Sequence, residues 1–148
     1  MNSRAPEDSE AELAHRLAMV LRKGYWTLHR YSDAVFMRHG VTTNQFVLLS
    51  LLAENGNVTQ KDLVERASSD PNTIRQMLDV LRRKSLVQRR RHPVDGRAWQ
   101  ISLTGRGRSL FEKLWHESRT LRKRLVHRLG IKEAKGLIRR LEVLVQSF

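Results

Sequence analysis

The chain contains no cysteine, and proline occurs only three times in its 148 residues. The lack of cysteine excludes disulfides, thiolate metal ligands and thiol-based redox sensing. No stretch approaches the roughly 18 consecutive apolar residues that a membrane-spanning helix needs. The first ten residues are polar and acidic, unlike a secretory signal peptide. We therefore expect a soluble, cytoplasmic chain with no membrane partner.

Negative charge is also scarce, because 15 acidic residues face 28 lysines and arginines, for a net charge of +13. Hydrophobic residues make up 40% of the chain, which indicates one folded domain rather than a basic disordered tail. A charge of this size attracts polyanions, either nucleic acid or an anionic membrane surface. A membrane-surface role would need a free apolar helix face, and the apolar faces here are needed for packing. Nucleic acid is therefore the expected partner.

The sequence shows no constellation that predicts catalysis. We find no nucleophile paired with a base and no phosphate-cradling glycine loop, since the glycines fall at predicted helix ends and in a predicted hairpin. We therefore predict neither catalytic residues nor a cofactor. Glu112 and His116 lie one helical turn apart and could ligate a metal, but solvated side chains are the commoner explanation, so a metal sensor is only an alternative.

Apolar residues at three- and four-residue steps predict long helices at both ends of the chain. After a frayed tail at 1–9, a first helix spans Glu10 to about Arg38, and His39-Gly40 ends it. At the other end, residues 104–148 predict two helices separated at Gly130. These segments flank a central lobe at 42–103.

The central lobe begins with three short helices. Thr42 or Thr43 is expected to cap the first of them, and Thr59 the second, with Asp62 completing a capping box. Asp70-Pro71 then starts a helix that runs to about Lys84.

Alternating segments at 86–89 and 98–103 follow and predict an antiparallel hairpin. The predicted fold class is therefore mainly α with a small antiparallel β-hairpin.

A short helix, a tight turn, a helix with polar residues at its start and a basic hairpin form the layout of a winged helix-turn-helix. The predicted helix from Pro71 packs one face and leaves Asn72, Thr73, Arg75 and Gln76 on the other. Asn and Gln can read adenine in the major groove, Arg can read guanine, and the Thr methyl can meet thymine. These four side chains are the predicted base-reading set for double-stranded DNA.

The hairpin carries a concentration of cations that suits phosphates or a narrow minor groove. Its members are Arg89, Arg90, Arg91, His92 and Arg97. The hairpin is therefore interpreted as a DNA-binding wing.

The lobe resembles the MarR family of winged helix-turn-helix transcriptional regulators. The resemblance rests on five runs, namely Val41 to Leu49, Thr59 to Leu63, Leu81 to Val87, Asp95 to Ala98, and Leu103 to Gly107. Two positions depart from the commonest family pattern. Ser85 stands where glycine is frequent, and Gly105 follows Thr104 where the family usually has an acidic or basic residue. Both lie outside the expected DNA-reading face.

The resemblance assigns further roles by position. It implies that Asp95 pairs with Arg97, which inserts at the minor groove, and that Ser69 joins the residues nearest the bases. It also implies that Thr59 and Gln60 contact phosphate at the start of the preceding helix.

The three long helices offer more apolar surface than the lobe can cover, which predicts a homodimer on a pseudo-palindromic operator. The resemblance further implies a repressor that a small molecule, often an aromatic acid, releases by binding between the dimerisation helices and the DNA-binding lobe, in a pocket lined by the first and fifth helices. The candidate ligand residues are Tyr25, Trp26, His29, Arg30, Trp115 and Arg119. Ordinary dimer packing with extended arginines explains the same pattern.

Two other functions remain as alternatives. A charge of +13 would suit a sequence-independent architectural DNA-binding protein, which strong sequence dependence at physiological salt would exclude. A winged module that binds protein is the other, and the arginine-rich hairpin argues against it.

Overall fold

The computed structural model describes residues 6–92, 94 and 99–147, with side chains from Ser9 onward. Within these residues the chain forms helices around a small antiparallel sheet. The elements in chain order are α1 (Pro6–Phe36), a 3₁₀ turn (Met37–His39), α2 (Thr43–Asn55), β1 (Val58–Thr59), α3 (Gln60–Arg66), α4 (Pro71–Arg83), β2 (Val87–Arg91), β3 (Trp99–Leu103), α5 (Gly105–Glu117), α6 (Arg119–Leu129) and α7 (Ile131–Gln146). The predicted fold class is confirmed.

The hydrophobic core lies in the central lobe. Its side chains come from the end of α1, the α1–α2 connection, α2, α3, α4, the sheet and α5. Those with essentially no exposure are Val41, Leu48, Leu49, Leu52, Leu63, Ile74, Leu81 and Leu114. Strand β3 is central in the sheet, with β1 and β2 on its two sides. Val58 pairs with Ile101, and both side chains are buried. The strand β1 was not predicted, because two residues are too few for an alternating pattern to appear.

The helices of the lobe begin where the sequence predicts them. Thr42, Thr59, Asp70 and Thr104 each accept a hydrogen bond from the backbone amide three residues later. Such caps satisfy donors that have no partner inside the helix. They set the residue at which each of these helices begins.

The long helices differ from the prediction in two places. Helix α1 begins at Pro6, so four residues assigned to a frayed tail are helical. The predicted fifth helix divides at Ser118 into α5 and α6, because the Ser118 hydroxyl donates to the Leu114 carbonyl at 2.7 Å. A serine that bonds back to the preceding turn commonly bends a helix.

The terminal helices contribute almost nothing to the core. Neither α6 nor α7 contains a buried residue, and Phe36 is the one buried side chain among those described in α1. Large apolar residues there are exposed, including Leu13 at 67%, Ile131 at 67% and Val145 at 73%.

Candidate nucleic-acid interface

Helix α4 is anchored by one face and presents the other to solvent. Ile74, Leu78 and Leu81 are buried in the lobe core, while Asn72, Arg75 and Gln76 are exposed and Thr73 is half-buried. The guanidinium of Arg75 donates to the Asn72 amide oxygen at 3.1 Å. This contact orients the Asn72 amide with its nitrogen free to donate. The structure thus brings the predicted base-reading side chains together on one exposed surface.

The turn before α4 sets the direction of its first residues. The Asp70 carboxylate accepts from the Thr73 amide at 2.9 Å. The Thr73 hydroxyl and amide lower the pKa of Asp70, so the cap stays ionised. Ser68 adopts a left-handed conformation with φ of 47°, and the half-buried Ser69 donates from its amide to the Val64 carbonyl at 3.2 Å. Ser69 therefore lies in the connection between α3 and α4.

The residues expected to contact phosphate at the start of α3 already have partners within the chain. The Thr59 hydroxyl donates to Asp62 at 2.7 Å and accepts from the Asp62 amide at 3.2 Å. The Thr59 hydroxyl and the Thr59 backbone amide both donate to the Asp62 carboxylate, and these two hydrogen bonds lower the pKa of Asp62. The side-chain amide of Gln60 donates to the Pro71 carbonyl at 3.3 Å, and this hydrogen bond joins the start of α3 to the start of α4. Both residues position the helices, and a phosphate contact remains a prediction.

The wing consists of β2 and β3, which pair from Val87 opposite Leu103 to Arg91 opposite Trp99. Arg89, Arg90 and Arg91 are exposed, as the basic hairpin prediction requires. His92 is half-buried, and the remaining predicted wing residues, Asp95 and Arg97, lie outside the described residues.

A cleft of about 230 Å³ separates α4 from the wing. Arg75 and Arg82 line it from the helix, and Arg89 lines it from the strand. Asp79 contributes a carboxylate to the same cleft, and Arg82 donates to it at 3.3 Å. Cations from two separate elements therefore converge on one surface, an arrangement that suits the phosphates on either side of a groove.

The candidate ligand residues form two separate groups. Tyr25, Trp26 and His29 lie together on α1, with ring centroids 5.5–5.7 Å apart, and Arg30 is exposed beside them. Trp115 lies on α5, where the cation over its ring is Arg122 at 3.7 Å.

Arg119, the cation predicted beside Trp115, lies on α6 and lines a surface there together with Arg122. The sequence analysis missed Arg122 because it considered only residues one turn from Trp115, and Arg122 lies seven residues, about two turns, away. Burial, followed by the charge of Arg119, lowers the pKa of Arg122.

A stack of aromatic rings joins the N-terminal helix to the lobe. Phe36 and Phe46 have centroids 4.1 Å apart, Phe46 and Phe111 5.7 Å, and Phe111 and Trp115 5.9 Å. Rings at these separations attract one another beyond the area they bury. The stack therefore packs α1, α2 and α5 against one another.

Asp33 forms a polar junction between α1 and α2 that the sequence analysis did not identify. Its carboxylate accepts from the Thr43 amide and the Thr43 hydroxyl, each at 2.7 Å, and lies 3.2 Å from the His29 ring nitrogen. Burial, the largest influence, raises the pKa of Asp33. The two Thr43 hydrogen bonds and His29 outweigh it, so the pKa is below its usual range.

We expect Asp33→Ala to destabilise the chain by about 1–2 kcal/mol at pH 7, since it leaves the Thr43 donors with no charged acceptor and Asp33 is partly exposed. A depressed carboxyl pKa stabilises the fold above about pH 4 and loses this effect as pH falls through the folded value. The difference between wild type and variant should therefore shrink below about pH 4. Urea denaturation at pH 7 and pH 3 measures it. Glu54→Ala at an exposed position of α2 is the control, and an equal loss in both variants would contradict the junction.

Other kinds of site find no support in the part of the chain described. Among residues 6–92, 94 and 99–147, no cluster of three His, Cys, Asp or Glu side chains could hold a metal ion, so Glu112 and His116 gain no further ligand. No described helix combines the length and the apolar character needed to cross a membrane.

Comparison with known proteins gives a consistent result. The model of the MarR family matches residues 41–99. The uncharacterized HTH-type transcriptional regulator YdgJ of Bacillus subtilis is 29% identical over 99 residues, which cover 67% of this chain and 60% of that relative's length.

Two solved structures share the fold over most of the chain. A probable transcriptional regulator from Pseudomonas aeruginosa is similar with a TM-score of 0.73 and 27% identity, covering 89% of this chain and 98% of that one. A mutant MarR from E. coli complexed with operator DNA has a TM-score of 0.77 and 23% identity, covering 95% and 98% of the two chains. The winged helix-turn-helix fold is confirmed.

Proposed function

We propose that the chain is a MarR-family, DNA-binding transcriptional regulator whose helix α4 enters the major groove, which the match of that family's model to residues 41–99 supports. The observation that carries this proposal is the exposed polar face of α4, which presents Asn72, Arg75 and Gln76 beside the basic wing. Base-edge donors next to phosphate-binding cations are the two parts that sequence-specific DNA recognition needs. The operator-bound relative shares this fold.

We propose that the regulator is a homodimer joined through its terminal helices. Exposed apolar residues on α1, α6 and α7 support this, because one chain leaves them uncovered. A groove of about 1160 Å³ between α1 and α6, lined in part by Leu28, Tyr31 and Leu125, adds to the surface that a second copy can cover. A two-fold dimer would place two copies of α4 on a pseudo-palindromic operator.

We further propose that the protein is a repressor released by a small aromatic carboxylate. The exposed rings of Tyr25 and Trp26 beside His29 and Arg30 offer flat walls and cations for such a ligand. The aromatic stack from Phe36 to Trp115 would carry a change at α1 into the lobe. Screening aromatic carboxylates for release of an operator duplex tests this step, and lack of release by the whole set would argue against it.

We expect selection from random duplex DNA at physiological salt to recover an inverted repeat. Against that repeat, Arg75→Ala or Gln76→Ala should relax discrimination at one base pair by about 1–3 kcal/mol. Arg89→Ala should instead weaken all sequences alike and reduce the salt slope by about 1. Fluorescence anisotropy at several salt concentrations measures both effects.

The exposed Arg139→Ala on α7 removes the same charge away from α4 and serves as the control. Equal losses on specific and random DNA for the α4 variants would contradict base reading by α4.

A sequence-independent architectural role is the alternative, and the charge of α6 favours it. Arg119, Arg122, Lys123, Arg124 and Arg128 lie on that helix, outside the wing and α4. Cations spread over several elements suit contact with DNA without regard to sequence. Recovery of no motif in the selection would support this function over specific regulation.

A further inference from the structure

The two strands of the wing sort its arginines onto opposite faces. Side chains alternate along a strand, so Arg89 and Arg91 share the face of the buried Val87, while Arg90 points to the other face. On β3, Trp99 and the buried Ile101 occupy this same inner face, since they lie opposite Arg91 and Arg89. The inner face therefore begins in the core and ends in an arginine and tryptophan cluster.

Trp99 contacts both arginines of this face. The Arg89 guanidinium carbon lies 4.2 Å from the indole centroid, and that of Arg91 lies 4.4 Å from it. Cations at this distance are attracted by the electron-rich ring face, and the attraction is strongest for tryptophan. Arg90 has a different partner, the Gln88 side-chain oxygen at 3.4 Å.

The arginines held by Trp99 lie on the same side as α4. Arg89 lines the cleft that Arg75 and Arg82 line from α4. Holding two long side chains in place before binding reduces the conformational entropy lost when they meet phosphate. A guanidinium stacked on a ring keeps its N–H groups at its edge, so it can still donate to an anion.

We infer that Trp99 is a positioning residue of the DNA interface, which holds Arg89 and Arg91 ready for backbone phosphates on the wing face that continues α4. The inference rests on the proposed DNA-binding function and adds that the three wing arginines contribute unequally to binding. Arg89 and Arg91 act as an ordered pair, and Arg90 contributes less. The residue that organises them carries no charge itself.

The first test measures binding of a random-sequence 30-base-pair duplex to the full-length protein by fluorescence anisotropy. Trp99→Leu should weaken binding about fivefold to tenfold, and Trp99→Tyr, which keeps an aromatic face, should recover most of it. Arg90→Ala should weaken binding less than Arg89→Ala, although both remove one positive charge. The thermal unfolding midpoint of each variant is measured as well. A variant that binds weakly but unfolds at the wild-type temperature has lost the positioning of the arginines, not the folded wing.

A double-mutant cycle then asks whether Trp99 acts through the arginines. In an Arg89→Ala/Arg91→Ala background, Trp99→Leu should cause no further loss of affinity. A loss as large as in the wild-type background overturns the inference, as does tight binding by Trp99→Leu alone.

A second readout needs no DNA and separates this inference from the proposed function. In a Trp26→Phe/Trp115→Phe protein, Trp99 is the remaining tryptophan. Its emission should change when Arg89 and Arg91 become alanine, because the indole loses both cations. Unchanged emission would show that Trp99 does not contact the arginines and would overturn the inference. Changed emission in a protein that binds no duplex would confirm the contact but refute the proposed DNA-binding function, and the role of Trp99 in binding would fall with that function.

Discussion

Gly107→Ala is expected to destabilise the folded chain by about 3 kcal/mol, the upper part of the usual range for an overpacked site. A Cβ atom at residue 107 would lie 1.9 Å from the Leu86 carbonyl oxygen and 2.9 Å from its carbon. Such distances require the backbone to shift. Urea denaturation followed by circular dichroism, at one fixed protein concentration, measures the loss.

The backbone at Leu86 has little freedom to shift, which makes the expected effect large. The Leu86 carbonyl already accepts from the Thr104 amide at 3.0 Å and from the Thr104 hydroxyl at 3.2 Å. The same hydroxyl is 2.7 Å from the Ser85 carbonyl and accepts from the Gly107 amide at 2.9 Å. Moving α5 away from Leu86 therefore disturbs the connection that joins α4 to the wing.

Helix α5 also supplies a matched control two residues away. Nothing lies within 4 Å of a Cβ atom at residue 105, so Gly105→Ala should leave stability unchanged or raise it by up to about 1 kcal/mol. Equal stability of the two variants would show that Leu86 and α5 can move apart without lowering the free energy of unfolding. That result would contradict the close packing described here.

The local signals of the lobe were readable from sequence because they depend on neighbouring residues. The Thr59–Asp62 capping box and the Asp70-Pro71 start each need only four consecutive positions, and both are present. The exposed face of α4 follows equally from its helical period. The base-reading candidates were therefore predictable as a group on one surface.

Contacts between distant segments could not be predicted in the same way. The Asp33 carboxylate meets Thr43 only after α1 turns back at Gly40, and nothing in the spacing of the two residues indicates a hydrogen bond. Likewise, Arg91 and Trp99 meet because of the strand register, which depends on the hairpin connection. Side-chain partners of this kind require the tertiary structure.

The strongest test of the proposed dimer is Ile138→Arg. Ile138 is 55% exposed on α7, on the apolar stripe that we propose covers the same stripe of a second copy. Two-fold symmetry would bury the new charge twice per dimer without a partner, which is strongly unfavourable. We expect sedimentation to show a monomer at micromolar concentration, and affinity for the inverted repeat to fall about 100-fold as the second binding site is lost.

The substitution is chosen so that charge cannot explain a loss of DNA binding, because an added arginine attracts the phosphate backbone. Val143→Arg adds the same charge at an exposed position on the other side of α7, because five residues at about 100° each place it roughly 140° around the helix from Ile138. It should sediment as a dimer and bind DNA at least as tightly as wild type. If Ile138→Arg also sediments as a dimer, the apolar face of α7 is not the contact between subunits, and paired recognition would need another interface.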